Sequence, residues 1–257
     1  MLNHQGLSQP LFRVAHLSDL HIGYAPERSK VAQALCDALV VHGVDHVVVT
    51  GDLTERGRIR QMEEFRKIFY PYISTGRLTM MPGNHDRLDD EVAKEMMGGE
   101  RVQVVRDRGM HLVRLDTTGP HNRWLFQSHG KIDERVIEEV GRAVDLAEPT
   151  DLVVLALHHH LLPLPGDWWL EHVSVWFHLP YAKELYLGRL LIECMRGKCD
   201  LILHGHRHAS RETNFPHETR DLNIYNAGSS TELGGFRLFS YAEGKLVGAP
   251  IWVDVRS

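Results

Sequence analysis

The sequence predicts an α/β fold in which a central β-sheet is covered by helices. Short apolar runs, several of them rich in β-branched residues, alternate with segments whose apolar residues recur at helical spacing. The runs contain few polar residues, which is typical of strands that are buried on both faces. The 257 residues are 43% hydrophobic, so one sizeable core or two small ones can form.

The first part of the chain predicts three strands separated by two helices. The strands are expected at residues 11–17, His46–Thr50 and Leu78–Met81. In the first helix, Ser29 is placed to cap the start and Gly43 to end it. The second helix has a single apolar stripe, which consists of Met62, Phe65, Phe69 and Tyr72.

The rest of the chain continues the alternation less regularly. Strands are expected at residues 111–116, 152–157 and 201–203, and helices at residues 133–147 and about 182–196. Residues 117–131 are expected to form a loop, residues 163–181 a Trp-rich insertion, and the tail from Leu222 two or three short strands. No linker or internal repeat is evident, so a single domain over residues 1–257 is expected.

The bulk composition excludes several classes of protein. The formal net charge of -5 argues against a broad nucleic-acid-binding surface. Residues 1–10 are polar, and no stretch reaches the roughly 20 apolar residues of a membrane span. The three cysteines lack a zinc-type spacing and are expected to be buried in a reducing compartment. We therefore expect a cytoplasmic protein without membrane association.

Candidate metal ligands follow five of the predicted strands. They fall in the segments Asp19–His21, Gly51–Asp52, Gly83–Asp86, His158–His160 and His204–His208. If these strands share a direction, all five segments emerge at the carboxyl edge of the sheet, where open α/β sheets bind ligands. Gly51, Gly83 and Gly205 would let the backbone turn sharply and approach closely.

The mixture of residue types predicts the kind of metal. Carboxylate, amide and imidazole ligands together suit manganese, iron or zinc, whereas magnesium and calcium favour oxygen alone. A carboxylate between two histidine-rich groups can bridge two ions. Two ions about 3.5–4 Å apart can clamp a phosphoryl group and generate a hydroxide.

The ordered motifs resemble those of the calcineurin-like metallophosphoesterase superfamily, from Asp19 to His208. The sequences of residues 17–21 and 82–86 are most similar to the corresponding motifs of the cyclic-nucleotide phosphodiesterase and DNA-repair nuclease branches. His160 and the 163–181 insertion depart from the pattern. The resemblance implies a two-sheet sandwich flanked by helices, in a four-layer α/β/β/α architecture.

The resemblance also implies a role for each motif residue. One divalent ion would be bound by Asp19, His21, Asp52 and His208, and the other by Asp52, Asn84, His158 and His206. Manganese or iron is expected, with zinc as an alternative. Asn84, His85 and Arg207 would contact the substrate. His85 would lie beside the leaving group, with Asp86 orienting its imidazole and favouring the protonated form.

Some residues have two or more interpretations. His159 and His160 could contact metal or substrate or could be loop residues, and His16 is expected to be a satisfied core histidine. The aromatic residues of the insertion could stack on a nucleobase, grip an acyl chain, pack the loop or form a dimer contact. They are Trp168, Trp169, Trp176 and Phe177.

The resulting functional prediction is hydrolysis of a phosphodiester by in-line attack of a metal-activated hydroxide. A small substrate, such as a cyclic nucleotide or a glycerophosphodiester, is favoured because the chain is compact and acidic. A DNA or RNA nuclease is the main rival, and it would need a basic groove. The candidates for that groove, or for a solvated helix face, are Arg56, Arg58, Arg60, Arg66 and Lys67. A phosphomonoesterase and a non-catalytic metal-binding module are further alternatives.

Overall fold

The computed structural model describes residues 10–123, 128–162 and 185–256. These residues form two β-sheets of six strands each. The first sheet contains β1 (Phe12–Leu17), β2 (His46–Thr50), β3 (Leu78–Met81), β10 (Gly235–Ala242), β11 (Lys245–Leu246) and β12 (Ile251–Asp254). The second contains β4 (Val102–Asp107), β5 (Met110–Leu115), β6 (Leu152–Ala156), β7 (Leu201–His204), β8 (Arg211–Phe215) and β9 (Leu222–Asn226).

Both sheets are mixed, and both have a parallel centre. In the first sheet the order is β11-β10-β1-β2-β3, with β12 also paired to β10. β1, β2 and β3 are parallel, and β10 is antiparallel to β1. In the second sheet the order is β4-β5-β6-β7-β9-β8, and its four central strands are parallel. The parallel strands of each sheet therefore end at one edge.

The α-helices lie between the strands along the chain. They are α1 (Pro26–Val41), α2 (Ile59–Ile68), α3 (Tyr70–Ile73), α4 (Ala93–Met96), α5 (Glu134–Val144), α6 (Gly188–Met195) and α7 (Ser230–Leu233). Short 3-10 turns are formed by His85–Arg87 and Pro120–Arg123. No helix among the described residues is both long enough and apolar enough to cross a bilayer.

The two faces of β6 show how the layers stack. Leu152, Val154 and Ala156 belong to the core that the first sheet shares with α1 and α2. Val153 and Leu155, which point the opposite way, pack with residues of α5 and α6. All five residues of β6 are buried, as expected for a strand covered on both faces. The predicted four-layer α/β/β/α sandwich is confirmed.

Helix boundaries in the first half differ from the prediction. Ser29 lies inside α1, which begins at Pro26 because the fixed φ of proline suits the first helical turn. The C-terminal prediction is confirmed, since α1 ends at Val41 and Gly43 follows with φ +60°. The single predicted second helix is divided into α2 and α3 at Phe69. Pro71 lies in the first turn of α3, where it needs no N–H partner.

Other differences concern the second sheet and its surroundings. β4 and β8 were not predicted, and within the described residues α6 begins at Gly188 rather than near residue 182. Cys36 and Cys199 are buried as expected, whereas Cys194 is exposed and its predicted burial was wrong. The insertion at 163–181 lies outside the described residues.

Candidate metal centre

The carboxyl ends of strands from both sheets meet at one rim. The backbone N–H of Asp19 donates to the carbonyl of Gly51 at 3.1 Å, which joins the loops after β1 and β2. The N–H of Gly205 donates to the carbonyl of His158 at 3.0 Å, which joins the loops after β6 and β7. Across the two sheets, the N–H of His206 donates to Asp19 Oδ2 at 2.9 Å. The five predicted segments therefore converge, although they leave two sheets rather than one.

The first group of converging side chains is the His208 cluster, which consists of Asp19, His21, Asp52 and His208. His21 Nε2 lies 3.1 Å from His208 Nε2. His208 Nε2 lies 3.5 Å from Asp19 Oδ1, and His21 Nε2 lies 3.8 Å from Asp52 Oδ2. Three of these side chains are buried, and the side chain of His208 is 39% exposed, which leaves this cluster open on one side.

The second group is the His206 cluster, which consists of Asp52, Asn84, His158 and His206. Asn84 Oδ1 lies 3.1 Å from His206 Nδ1 and 3.2 Å from His158 Nε2. His158 Nε2 is 3.3 Å from His206 Nδ1 and 3.4 Å from Asp52 Oδ2. Asp52 Oδ2 therefore faces both clusters, while its Oδ1 accepts a hydrogen bond from the N–H of His85 at 2.9 Å.

The chemistry of these donor atoms fits a cation. His158 Nδ1 donates to the carbonyl of Thr50 at 2.8 Å, so in the neutral ring the lone pair is on Nε2. That lone pair faces the oxygen atoms of Asn84 and Asp52, and such an arrangement is repulsive without a proton or a cation between them. Two ligand atoms that each lie about 2.1 Å from one metal are roughly 3.0–3.4 Å apart at ordinary bond angles. The separations within the His206 cluster are of this size.

Two glutamates that the sequence analysis missed hold the rings of the His208 cluster. Glu55 Oε2 accepts a hydrogen bond from His21 Nδ1 at 2.9 Å, which turns Nε2 of that ring toward the cluster. Glu232 Oε2 lies 3.1 Å from His208 Nδ1 and has the same effect. Metal-binding histidines generally have a carboxylate or carbonyl partner of this kind. The position of Glu55, three residues after Asp52, was the only local signal for either residue.

The expected contact between Asp86 and His85 is not made, and this prediction was wrong. Asp86 is fully buried, and it accepts hydrogen bonds from the N–H groups of Leu53, Thr54 and Gly83 and from the Thr54 hydroxyl. Its role is to tie the loops after β2 and β3 together. The ring of His85 is oriented instead by the carbonyl of Glu55, which accepts from Nδ1 at 2.8 Å.

Of the remaining histidines near the rim, His159 is held by hydrogen bonds, whereas neither ring nitrogen of His160 has a hydrogen-bond partner among the described residues. His159 Nε2 donates to the carbonyl of Ser128 at 2.8 Å, and its Nδ1 accepts from Thr117 Oγ1 at 2.7 Å, so both nitrogens are engaged. His160 is buried and stacks on His206 with 5.4 Å between ring centroids. His16 is a buried core histidine whose Nε2 bonds Thr50 Oγ1 at 2.9 Å, although its Nδ1 has no hydrogen-bond partner in the part of the chain that the structure describes.

Backbone conformation is unusual at the candidate ligands. Asp19, Asp52 and His206 have φ values of +52°, +49° and +75°, in the left-handed region that residues other than glycine rarely adopt. Strain of this kind concentrates at functional sites. Close approach also requires the nearby glycines, because a β-carbon at Gly83 would collide with Asp52 and one at Gly205 with Asp19.

Electrostatics place protons where a metal would bind. Burial would lower the pKa of His158, but the charge of Asp52 raises it to about 9. The pKa of His208 is also about 9, because Asp19 outweighs the effect of burial. Burial would raise the pKa of Asp52, yet the neighbouring imidazoles of His158 and His85 hold it well below its usual range. By contrast, burial and repulsion by His159 and His158 keep the pKa of His206 well below its usual value.

Both clusters open into one cleft of about 420 Å³, a volume within the range of small-molecule sites. The predicted substrate contacts Asn84, His85 and Arg207 all line this cleft. Tyr24 and Arg28, which the sequence analysis did not single out, also lie on its wall. Tyr24 follows His21 by three residues, which was the only local signal for it, and Arg28 belongs to no motif that could have identified it.

Comparison with known proteins identifies the family. The family model for calcineurin-like phosphoesterases matches residues 12–210. The chain is 26% identical to a probable cyclic nucleotide phosphodiesterase of Rhodococcus erythropolis, over 92% of this chain and 79% of that one. It is 28% identical to a cAMP/cGMP dual specificity phosphodiesterase of Mycobacterium tuberculosis, over 92% and 75% of the two chains.

A solved structure supports the fold. The purple acid phosphatase of yellow lupin seeds superposes with a TM-score of 0.69 and 13% identity, over 96% of this chain. The chain spans about half of that phosphatase, 52% of its length.

Proposed function

Because the chain belongs to the calcineurin-like phosphoesterase family, we propose that it hydrolyses a small phosphodiester by means of two divalent metal ions. The observation that carries the proposal is the pair of clusters that share Asp52 Oδ2. Asp19, His21, Asp52 and His208 would hold one ion. Asp52, Asn84, His158 and His206 would hold the other.

The ligand set favours manganese, iron or zinc, because each cluster combines imidazole nitrogen with carboxylate or amide oxygen. When bound, the ions supply Lewis-acid stabilisation of the phosphoryl oxygens and activate water. The side chains of the protein position the substrate around them. Asn84 and Arg207 would bind the phosphate, Asn84 through its amide N–H group and Arg207 through its charge.

His85 is proposed to donate a proton to the departing oxygen. Its side chain is 27% exposed and lines the cleft, so a substrate can reach it. Because its Nδ1 is bound to the carbonyl of Glu55, Nε2 is the nitrogen that remains for the leaving group. Asp86, which bonds elsewhere, has no part in this step.

A small substrate is favoured over a nucleic acid. Three arginines of the basic run are ion-paired, Arg56 and Arg58 with Asp89 and Arg66 with Glu95. These pairs reduce the positive charge that a nucleic-acid groove would need. The named functions of the two bacterial relatives point to cyclic nucleotides as the substrate class. Cytoplasmic location and a single domain stay predictions, and a dimer contact stays one of the open interpretations of the insertion.

A substrate panel tests the proposal. The protein is treated with a chelator, reloaded with manganese, and assayed on a cyclic nucleotide, a glycerophosphodiester, a phosphomonoester, and single- and double-stranded DNA. We expect the highest kcat/KM on a small diester. Faster cleavage of DNA would favour the nuclease, faster cleavage of the monoester would favour a phosphomonoesterase, and metal binding without any hydrolysis would favour a non-catalytic module.

Asp52→Asn should abolish most of the activity, by a factor of about 100 or more, since both metal sites lose their shared charge. The fold should persist, because asparagine tolerates the left-handed backbone at this position. Activity and metal content by elemental analysis are measured together. Asp37→Asn, on the exposed face of α1, is the matched control. Full metal content with normal turnover in Asp52→Asn would contradict the dinuclear proposal.

A further inference from the structure

Tyr24 is an exposed aromatic side chain on the wall of the catalytic cleft. It is 65% exposed, although it lies only three residues beyond His21. The other described lining residues are charged, polar or imidazole side chains. The tyrosine ring therefore supplies a flat apolar surface that a phosphate group alone has no use for.

The ring is held in place by contacts that lead back to the His208 cluster. The N–H of Tyr24 donates to the carbonyl of His21 at 3.0 Å. The guanidinium of Arg28 lies over the ring, 5.4 Å from its centroid. Arg28 in turn donates to Thr231 Oγ1 at 2.9 Å and to Glu232 Oε1 at 2.6 Å. Since Glu232 also contacts His208, the ring and the metal ligands share one support.

An anchored, exposed ring differs from an ordinary surface aromatic. Single exposed aromatic residues are common and need no function. Tyr70 is an example, because it is 64% exposed and does not line this cleft. In Tyr24 one ring face is covered by a cation that is itself fixed by two hydrogen bonds, so little conformational entropy is lost when a ligand covers the other face.

We propose that Tyr24, backed by Arg28, forms a subsite that stacks on the base of a nucleotide, and that the substrate is a nucleoside cyclic phosphate rather than a glycerophosphodiester. This inference rests on the proposed function and narrows its substrate. A glycerol or ethanolamine group has no π-face, whereas every nucleobase has one. Stacking of one base on an aromatic side chain contributes about 1–3 kcal/mol, or roughly 5- to 150-fold in affinity.

Two substrates that differ only in the base test this subsite. They are adenosine 3',5'-cyclic phosphate and 1-O-methylribose 3',5'-cyclic phosphate, assayed on the manganese-loaded protein. We expect kcat/KM for the nucleotide to exceed that for the abasic ester by about tenfold or more. In Tyr24→Ala this ratio should fall to near one, while Tyr24→Phe should retain it because the ring remains. Tyr70→Ala is the control and should leave the ratio unchanged.

The outcomes separate the subsite from the activity. If the wild-type protein hydrolyses both esters equally well, or if Tyr24→Ala keeps the preference, the subsite is overturned and the hydrolase proposal stands. A preference that survives in Tyr24→Ala would place the base elsewhere, for example against Trp168 or Trp169, which lie outside the described residues. Hydrolysis of neither ester by a metal-loaded wild-type protein that cleaves a glycerophosphodiester would overturn the subsite alone, and cleavage of none of these small diesters would overturn both proposals.

Discussion

His85 has two proposed roles: its backbone supports the metal ligand Asp52, and its ring donates a proton to the leaving group. Its backbone N–H bonds Asp52 Oδ1 at 2.9 Å, and its ring bonds the carbonyl of Glu55 at 2.8 Å. The backbone contact would support the shared metal ligand, while the ring is free to serve the leaving group through Nε2. Removal of the ring alone therefore separates these contributions.

His85→Ala should affect substrates according to their leaving groups. General-acid catalysis contributes about 10²–10⁴-fold where the leaving group is poor, and far less where it departs readily as an anion. We expect kcat on an alkyl diester to fall about 100-fold and kcat on a p-nitrophenyl diester to fall less than about tenfold. His217→Ala, at an exposed position that does not line the cleft, is the control. Equal losses on both esters would remove His85 from the acid role.

Glu55→Gln should weaken metal binding without unfolding the protein. The amide can still accept a hydrogen bond from His21, but the negative charge that makes the ring a better ligand is lost. Loss of such a partner typically costs about 10–100-fold in metal affinity or activity. Manganese titration of the chelator-treated variant measures the change. Glu63→Gln, on the exposed face of α2, should bind as the wild type does, and equal affinities for both variants would contradict the role of Glu55.

The candidate metal ligands could be predicted from the sequence more easily than the residues that orient them. Asp19, His21 and Asp52 follow strands directly, so short motifs next to apolar runs were enough to predict that they meet. Glu232 is 24 residues from His208 and lies on α7, and only the packing of that helix brings them together. Asp86 was misassigned because its neighbour in sequence, His85, is the proposed general acid, while the oxygen atoms of Asp86 face the loop after β2.

At the level of elements, the site depends on close packing between the loops that follow the strands. The loop after β7 passes so close to the loop after β1 that Gly205 has no space for a β-carbon beside Ser18 and Asp19. The N–H of His206 then reaches Asp19 Oδ2 at 2.9 Å. A single methyl group at this crossing would push the two loops apart.

Gly205→Ala should therefore lower both stability and activity. Overpacking of this kind costs about 1–3 kcal/mol, and displacement of Asp19 should reduce metal affinity as well. Urea unfolding and manganese titration measure the two effects. Gly141→Ala in the middle of α5 is the control, since a β-carbon there meets nothing, and it should be neutral or stabilising by up to about 1 kcal/mol. Wild-type behaviour of Gly205→Ala would show that the crossing is not tight.

The predictability of the elements follows their burial. β2, β6 and β7 were predicted because every residue in them is buried, so their sequences are continuous apolar runs. β8 is an edge strand with four of its five residues exposed, and its polar sequence carries no such signal. β4 is also an edge strand, with a half-exposed pattern that the hydrophobic runs nearby obscured. Edge strands are determined by the neighbour that they pair with.

For the whole molecule, the buried charges of the two clusters make metal binding depend on pH. At pH 7 the rings of His158 and His208 hold protons in the metal-free protein, since both have a pKa of about 9 against an ordinary value of 6.5. Each raised pKa stabilises the metal-free fold below pH 6.5, and this stabilisation is lost as the pH rises through about 9. Manganese must displace both protons.

Manganese binding at pH 7 should therefore release about two protons from His158 and His208, and the raised pKa of His21 adds to this number. Isothermal titration calorimetry in two buffers with different ionisation enthalpies measures this number. In His208→Ala the release should fall by about one proton, because the ring of His208 no longer contributes one. Metal binding without proton release at this pH would contradict protonation of these rings.

The rim draws its ligands from both halves of the sandwich, since Asp19, His21, Asp52 and Asn84 come from the first sheet and His158, His206 and His208 from the second. Each proposed ion would thus be bound by residues from both sheets and would link the two sheets together. A slide of one sheet over the other by a fraction of an ångström would alter the spacing of the ions. The apolar contacts between the two sheets, such as those of Leu17 and Val154, consequently determine how far apart the candidate metal ligands lie.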